Sequence, residues 1–250
     1  MRIRCLRTGV VRERVGTRGI RRYLTAPWRD DAVPVNAFLI EHPAGLCLFD
    51  TGQSARAVGP GYFPRWHPFF RLSRFELTAE DEVAPQLRAL GINAADVRWV
   101  VLSHLHTDHV GGIDAFTNVD VVVSRVEWER AHGFARKVRG YLPQYWPREL
   151  EPTPLELDEG AFGPFPSAHD LAGDETLVVV ATPGHTPGHV SLLVRRPEGA
   201  VLLRGDLAHS AADLEHAASA VARYCREQGI AYVGAHDWEA PSTLAEAQTM

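Results

Sequence analysis

Three cysteines in 250 residues are too few and too widely spaced to organise a fold. Cys5, Cys47 and Cys225 contain no C-x-x-C pair and leave an odd count, which argues against a disulfide framework and a cysteine metal cluster and fits a reducing cytoplasm. Cys47 and Cys5 stand in strand-like runs and read as small core hydrophobes. No stretch approaches the ~18 uninterrupted apolar residues that a membrane span takes, so no membrane partner is expected. No apolar segment follows the eight arginines of the first 22 residues, so they predict no targeting leader; residues 2 to 15 alternate Arg with Ile, Leu and Val as an exposed strand pair does. No tandem repeat is visible. A net charge of -5 disfavours a polyanionic partner, and no nucleic-acid role is expected.

What the chain does have is apolar residues, 45% of the total, enough for a substantial core in one domain spanning 1–250. Residues 33 to 50, VPVNAFLIEHPAGLCLFD, are two β runs joined by a Pro-Ala-Gly turn, and predict a hairpin ending in Asp50-Thr51-Gly52. Residues 53–76 hold Tyr62, Phe63, Trp66, Phe69, Phe70 and Phe75 without a period. They predict a long loop excursion near the active site, either a pocket wall or aromatics packed on the body. A helix over 79–90 has Thr78 as N-cap and Gly91 as stop. After a strand at 119–123, Ser124-Arg125-Val126-Glu127 reads as a capping box opening a short helix through about Ala131. Residues 133–170, rich in Pro, Gly and aromatics, predict a second excursion on the pocket side, facing a substrate or the second subunit of a homodimer. Strands at 176–181, 190–194, 201–203 and 230–233 and an Ala-rich helix over 211–228 complete the chain.

One stretch concentrates chemistry. Val100 to Gly112, VVLSHLHTDHVGG, sets His104, His106, Asp108 and His109 in a loop behind the apolar end of a buried strand. Burying imidazoles and a carboxylate there without a partner is costly, and a metal ion is the simplest partner. Four N and O ligands so close together exceed what one tetrahedral ion takes from a single loop, which predicts two divalent ions, Zn2+ first among them.

H-x-H-x-D-H followed by Gly-Gly resembles the signature of the metallo-β-lactamase superfamily. The resemblance extends over essentially the whole chain. His185 in Thr182-Pro183-Gly184-His185, Asp206 after Gly205, and His236 in Ala235-His236-Asp237 stand where that family has its later ligands, each behind a β run. It implies an α+β fold, a four-layer αββα sandwich with the site at one edge of the paired sheets. It also implies that His104, His106 and His185 hold one ion, that Asp108, His109 and His236 hold the other, and that Asp206 bridges them. Asp50 would support the loop from behind, or only cap it. His189 reads as a core or supporting group at the start of the next strand.

Within the superfamily the chain is most similar to N-acyl homoserine lactone hydrolases, through the T-P-G-H-T-P-G-H string and the closing A-H-D. What this implies is opening of a lactone or ester by a hydroxide shared between the two ions, with Asp108 carrying a proton to the leaving group. Those enzymes place a Tyr three residues after the bridging Asp, where this chain has His209. His209 is thus either a substitute hydrogen-bond donor to the substrate or an exposed residue opening the next helix. The main rival is a phosphodiesterase or another ester or thioester hydrolase of the same superfamily. A redox relative lacks support, since no flavin domain is present, and a binding module without turnover is separable only by assay.

Overall fold

The computed structural model describes residues 1–14, 27, 28, 30–63, 73–133, 140–148, 150–157, 159–207 and 212–247, with side chains of the last range from 219 onward. The first sheet begins with β1 (Arg2–Glu13). It is one long strand, not the pair its alternation predicts. Its register breaks between Arg7 and Val10, with Gly9 at φ +116°, so that its last residues pair on both sides, with β2 (Val33–His42) and with β4 (Ser73–Glu76). The predicted hairpin is present: β2 turns through Pro43 and Ala44 into β3 (Gly45–Phe49). Then β5 (Val97–Val101), β6 (Asp120–Ser124) and β7 (Thr153–Leu155) add parallel to β3, giving the order β4-β1-β2-β3-β5-β6-β7. Strands covered on both faces read as near-continuous Val and Leu runs, as β3, β5 and β6 do.

The second sheet contains β8 (Ala168–Asp170), β9 (Leu177–Ala181), β10 (Val190–Val194), β11 (Val201–Leu203) and β12 (Ala231–Val233), in the order β12-β11-β10-β9-β8. Between the sheets lies a core of Phe38, Ile40, Phe49 and Val101 from one and Leu177, Val179, Leu192 and Leu203 from the other, all but fully buried. Each such side chain contributes about 1.5–3 kcal/mol relative to exposure. The outer face of the first sheet is covered by α1 (Val83–Ala89), α2 (Thr107–Val110) and α3 (Arg125–His132), and that of the second by α4 (Ala212–Glu227). The layers run α, β, β, α, as expected.

Three differences from the sequence reading have physical causes. The helix expected over 79–90 divides into a 3-10 turn at Ala79–Asp81 and α1, because Pro85 has no N–H to continue a helix back to Asp81. A last helix, α5 (Ala240–Ala247), seats Ala240 and Leu244 in the inter-sheet core; its Pro-Ser-Thr opening gives no apolar period to read. The two excursions contain short regular pieces, β4 in one and β7, β8 and a turn at Pro143–Tyr145 in the other. Their described aromatics pack inward: Tyr62, Phe63 and Phe75 form a buried cluster with Val11, Val35 and Leu142, and Tyr62 stacks on Tyr145 at 4.4 Å. No described helix is long and apolar enough to cross a membrane.

Candidate metal centre

Strand direction brings the site together. β5, β9, β11 and β12 all end at the same edge of the sandwich, and just beyond their ends stand His104, His185, Asp206 and His236. Asp108 and His109 lie on α2, a single helical turn where the sequence predicts loop. Three sets of donor atoms gather, each within 4.8 Å: His104, His106 and His185; His104, His109 and Asp206; Asp108, His109 and His236. Asp206 Oδ1 stands 3.4 Å from His109 Nε2 and 3.2 Å from His236 Nε2, while its Oδ2 stands 3.4 Å from His185 Nε2. All seven ligand candidates of the sequence therefore face one volume. His209 lies outside the described residues.

The rings are oriented from behind. His236 Nδ1 donates to the Pro34 carbonyl at 2.7 Å, and His109 Nδ1 donates to Asp50 Oδ2 at 2.8 Å. Asp50 also accepts from Ser103 N–H at 2.7 Å and from Ser103 Oγ at 2.9 Å, so its carboxylate is fully employed behind the loop. Its φ of +62° is a left-handed value that Asp tolerates better than most residues. With its hydroxyl proton on Asp50, Ser103 Oγ accepts from His104 Nδ1 at 3.0 Å. In each case the second ring nitrogen, Nε2, is left to face the site, and the partner on the first fixes the tautomer. Close packing completes the frame: a Cβ on Gly205, at φ +52°, would stand 2.8 Å from both His189 Nε2 and Ser103 Cβ.

Charge follows the same geometry. Burial opposes protonation of His236, but the carboxylates of Asp206 and Asp108 outweigh it and push the imidazole up to about 9. Burial likewise opposes charge on Asp206, yet His236 and His109 hold its carboxyl well below the usual range. His104 goes the other way, kept neutral by burial and by its histidine neighbours. His104 Nε2, His109 Nε2 and Asp206 Oδ1 are buried without a hydrogen-bond partner. Such orphaned polar atoms are costly to bury, and a divalent cation, which displaces any ring proton, suits imidazole nitrogens and carboxylate oxygens. The residues fit metal.

His189 differs from these. Its Nδ1 donates to Thr182 Oγ1 at 2.8 Å and its Nε2 accepts from the Asp206 backbone N–H at 3.1 Å, so both nitrogens are engaged by protein. Residues 30–246 match the profile of the metallo-beta-lactamase superfamily. The chain belongs to that superfamily. Among curated members, the N-acyl homoserine lactonase AttM of Azorhizobium caulinodans is 39% identical over 193 residues, covering 72% of this chain and 67% of that one. The AttM of Agrobacterium fabrum is 36% identical over 184 residues, covering 70% and 64%. The match thus spans about two-thirds of each relative's length. A solved N-acyl homoserine lactone hydrolase, with the product N-hexanoyl-L-homoserine at its catalytic metal centre, superposes with a TM-score of 0.74 at 25% identity, covering 95% of this chain and 93% of that one.

In this member of the superfamily Glu127 escapes sequence reasoning, while Tyr141 is foreseen only as one of the aromatics of the pocket-side excursion. Glu127, fully buried, does not close the capping box its spacing suggests; its Oε1 accepts instead from Leu105 N–H at 3.1 Å. Tyr141, from the second excursion, sets its ring 5.5 Å from that of His106. Burial raises the Glu127 carboxyl, and the hydrogen bond from Leu105 N–H works against it. A capping-box pattern has an ordinary explanation at hand, so nothing in the sequence directs Glu127 toward the histidines.

Proposed function

We propose that this chain is a dinuclear metal-dependent hydrolase that opens N-acyl homoserine lactones, the whole length 1–250 acting as one catalytic domain. The observation that carries the two-ion reading is Asp206, a single buried carboxylate facing His109 and His236 through one oxygen and His185 through the other. On this reading His104, His106 and His185 hold one ion, Asp108, His109 and His236 the second, and Asp206 serves both. A donor set of imidazole and carboxylate makes zinc the best-suited metal. When bound, two such ions lower the pKa of a water toward neutrality and polarise a carbonyl.

The remaining work belongs to the chain. Asp50, Ser103 and Pro34 hold imidazoles in the orientation that turns Nε2 toward the cluster. Asp108, its side chain 12% exposed, stands at the rim of the cluster, and we assign it the proton delivered to the leaving alkoxide. His209 we assign to the substrate carbonyl, as the residue standing where the lactone hydrolases have Tyr. Choice of a lactone is supported by the relatives, several of which are N-acyl homoserine lactonases. The test is a kcat/KM comparison with zinc-loaded protein on acyl homoserine lactones, an aryl ester, a thioester and a phosphodiester. Lactones should lead; a phosphodiester or thioester turned over faster than every lactone would overturn the substrate and leave only the hydrolytic class.

A further inference from the structure

The beginning of α3 touches both histidine-bearing loops. Ser124 Oγ caps this helix by accepting from Glu127 N–H at 3.1 Å, and donates to the Gly188 carbonyl at 2.6 Å in the loop that carries His185. The approach is so close that a Cβ on Gly188 would stand 2.2 Å from Glu127 N. Glu127 Oε1 then accepts from Leu105 N–H, and Leu105 is the residue between His104 and His106. Thr186, next to His185, and Tyr141, whose ring neighbours His106, lie beside the same carboxylate. One buried residue thus joins the loop of the first sheet, through its side chain, to the loop of the second, through its N–H and Ser124, at the three histidines assigned to one ion. The other set is framed separately, by Asp50 and Pro34.

We infer that Glu127 is a positioning residue that fixes the spacing between the His104–His106 loop and the His185 loop, and so governs the affinity of that one ion and not of its neighbour. The inference rests on the metal assignment proposed above. It acts through the hydrogen bond its side chain accepts from Leu105, so an amide, which keeps an acceptor oxygen, substitutes for the carboxylate. The experiment is chelator competition with cobalt(II) on metal-free protein, following the visible bands of each bound ion. Glu127→Ala should weaken one ion by roughly tenfold to a hundredfold, the usual cost of losing an outer partner of a ligand, and leave the second within about threefold. Glu127→Gln should restore the first to within about threefold of the parent protein. Should Glu127→Ala fail to fold, Ser124→Ala, which removes the hydroxyl joining Glu127 N–H to the Gly188 carbonyl, must still weaken the same ion. Equal loss of both ions, unchanged affinity in these variants, or no recovery in Glu127→Gln overturns the inference. Absence of cobalt binding by the parent protein, or unchanged binding in His185→Ala, overturns instead the metal assignment on which it stands.

Discussion

Thr182-Pro183-Gly184-His185 and Thr186-Pro187-Gly188-His189 are the same four residues twice, and the fold uses their histidines in opposite ways. The His185 side chain is 17% exposed and turns Nε2 toward Asp206 Oδ2 and His106 Nδ1, the latter at 3.0 Å. His189 is 1% exposed, with Thr182 on one nitrogen and the Asp206 amide on the other. Beyond Thr182 the hydrogen bonds continue to Ser191 Oγ at 2.9 Å. The difference lies in position relative to the strands. His185 sits in the open turn after β9, free to point at the cluster, whereas His189 immediately precedes β10 and is drawn between the sheets. What separates a ligand from a brace is whether protein has already taken both ring nitrogens.

Asp206 is where the two histidines meet, because its carboxylate faces His185 and its amide holds on to His189. Asp206→Ala should therefore give the largest effect, loss of both ions from the purified protein by elemental analysis and a fall in kcat/KM of roughly a thousandfold. Retention of two ions per chain in this variant would remove Asp206 as the shared group. The two histidines should then part company. His185→Ala should lose one ion, whereas His189→Ala should keep both and unfold more easily, by about 1–3 kcal/mol for a buried amide and hydroxyl left without their partner. If His189→Ala lost metal as completely as His185→Ala, the contrast drawn from their hydrogen bonds would fail.

The clustering of the candidate ligands was legible in the sequence because metal chemistry constrains residue type and spacing together: His104, His106, Asp108 and His109 have no ordinary reason to crowd behind Val100-Val101-Leu102. The later three were legible through resemblance and through their place behind β runs. Asp50 was half legible, since an Asp ending a buried strand needs a partner, but only the fold shows that the partner is His109. Glu127 was not legible, and Tyr141 only as a member of the pocket-side excursion. Each lies far along the chain from the histidines it neighbours, and long-range packing leaves no local period. The single helical turn holding Asp108 and His109 was hidden for another reason: four residues are too few to display a helical repeat.

His209 extends the comparison to a third histidine, three residues past Asp206 and without a described position. If it donates to the substrate carbonyl, His209→Ala should lower kcat/KM on acyl homoserine lactones by roughly tenfold to a hundredfold, the ~1.4–3 kcal/mol of a hydrogen bond to developing charge, with metal content unchanged. His209→Tyr should hold or raise that activity. Unchanged lactone kinetics in His209→Ala would make it a surface residue and detach the substrate assignment from it.

The smallest effect separates the histidines by proton affinity in the metal-free protein. His236, pushed up to about 9 from an ordinary value of 6.5, adds stability that is full below pH 6.5 and is lost as pH rises through 9; His109, raised mainly against burial by Asp206 and Asp50, acts in the same direction. His189, pushed down to about 3 chiefly by burial, has the opposite sign: the unfolded chain takes up a proton that the folded one refuses, so stability is lost as pH falls below 6.5. Unfolding temperature of the metal-free protein, measured by calorimetry between pH 5 and 9.5, should peak near 6.5 and decline on both sides. Metal loading should flatten the alkaline side, since cations then replace the protons on His236 and His109, and steepen the acid side, since the unfolded chain takes up protons that metal-bound imidazoles refuse. A metal-free protein whose unfolding temperature rises from pH 6.5 to 9 would show that the carboxylates do not hold these imidazoles charged. An acid-side decline of the metal-free protein left unchanged in His189→Ala would show that His189 is not an imidazole held neutral by burial, and the contrast between the two identical tetrapeptides would lose this support.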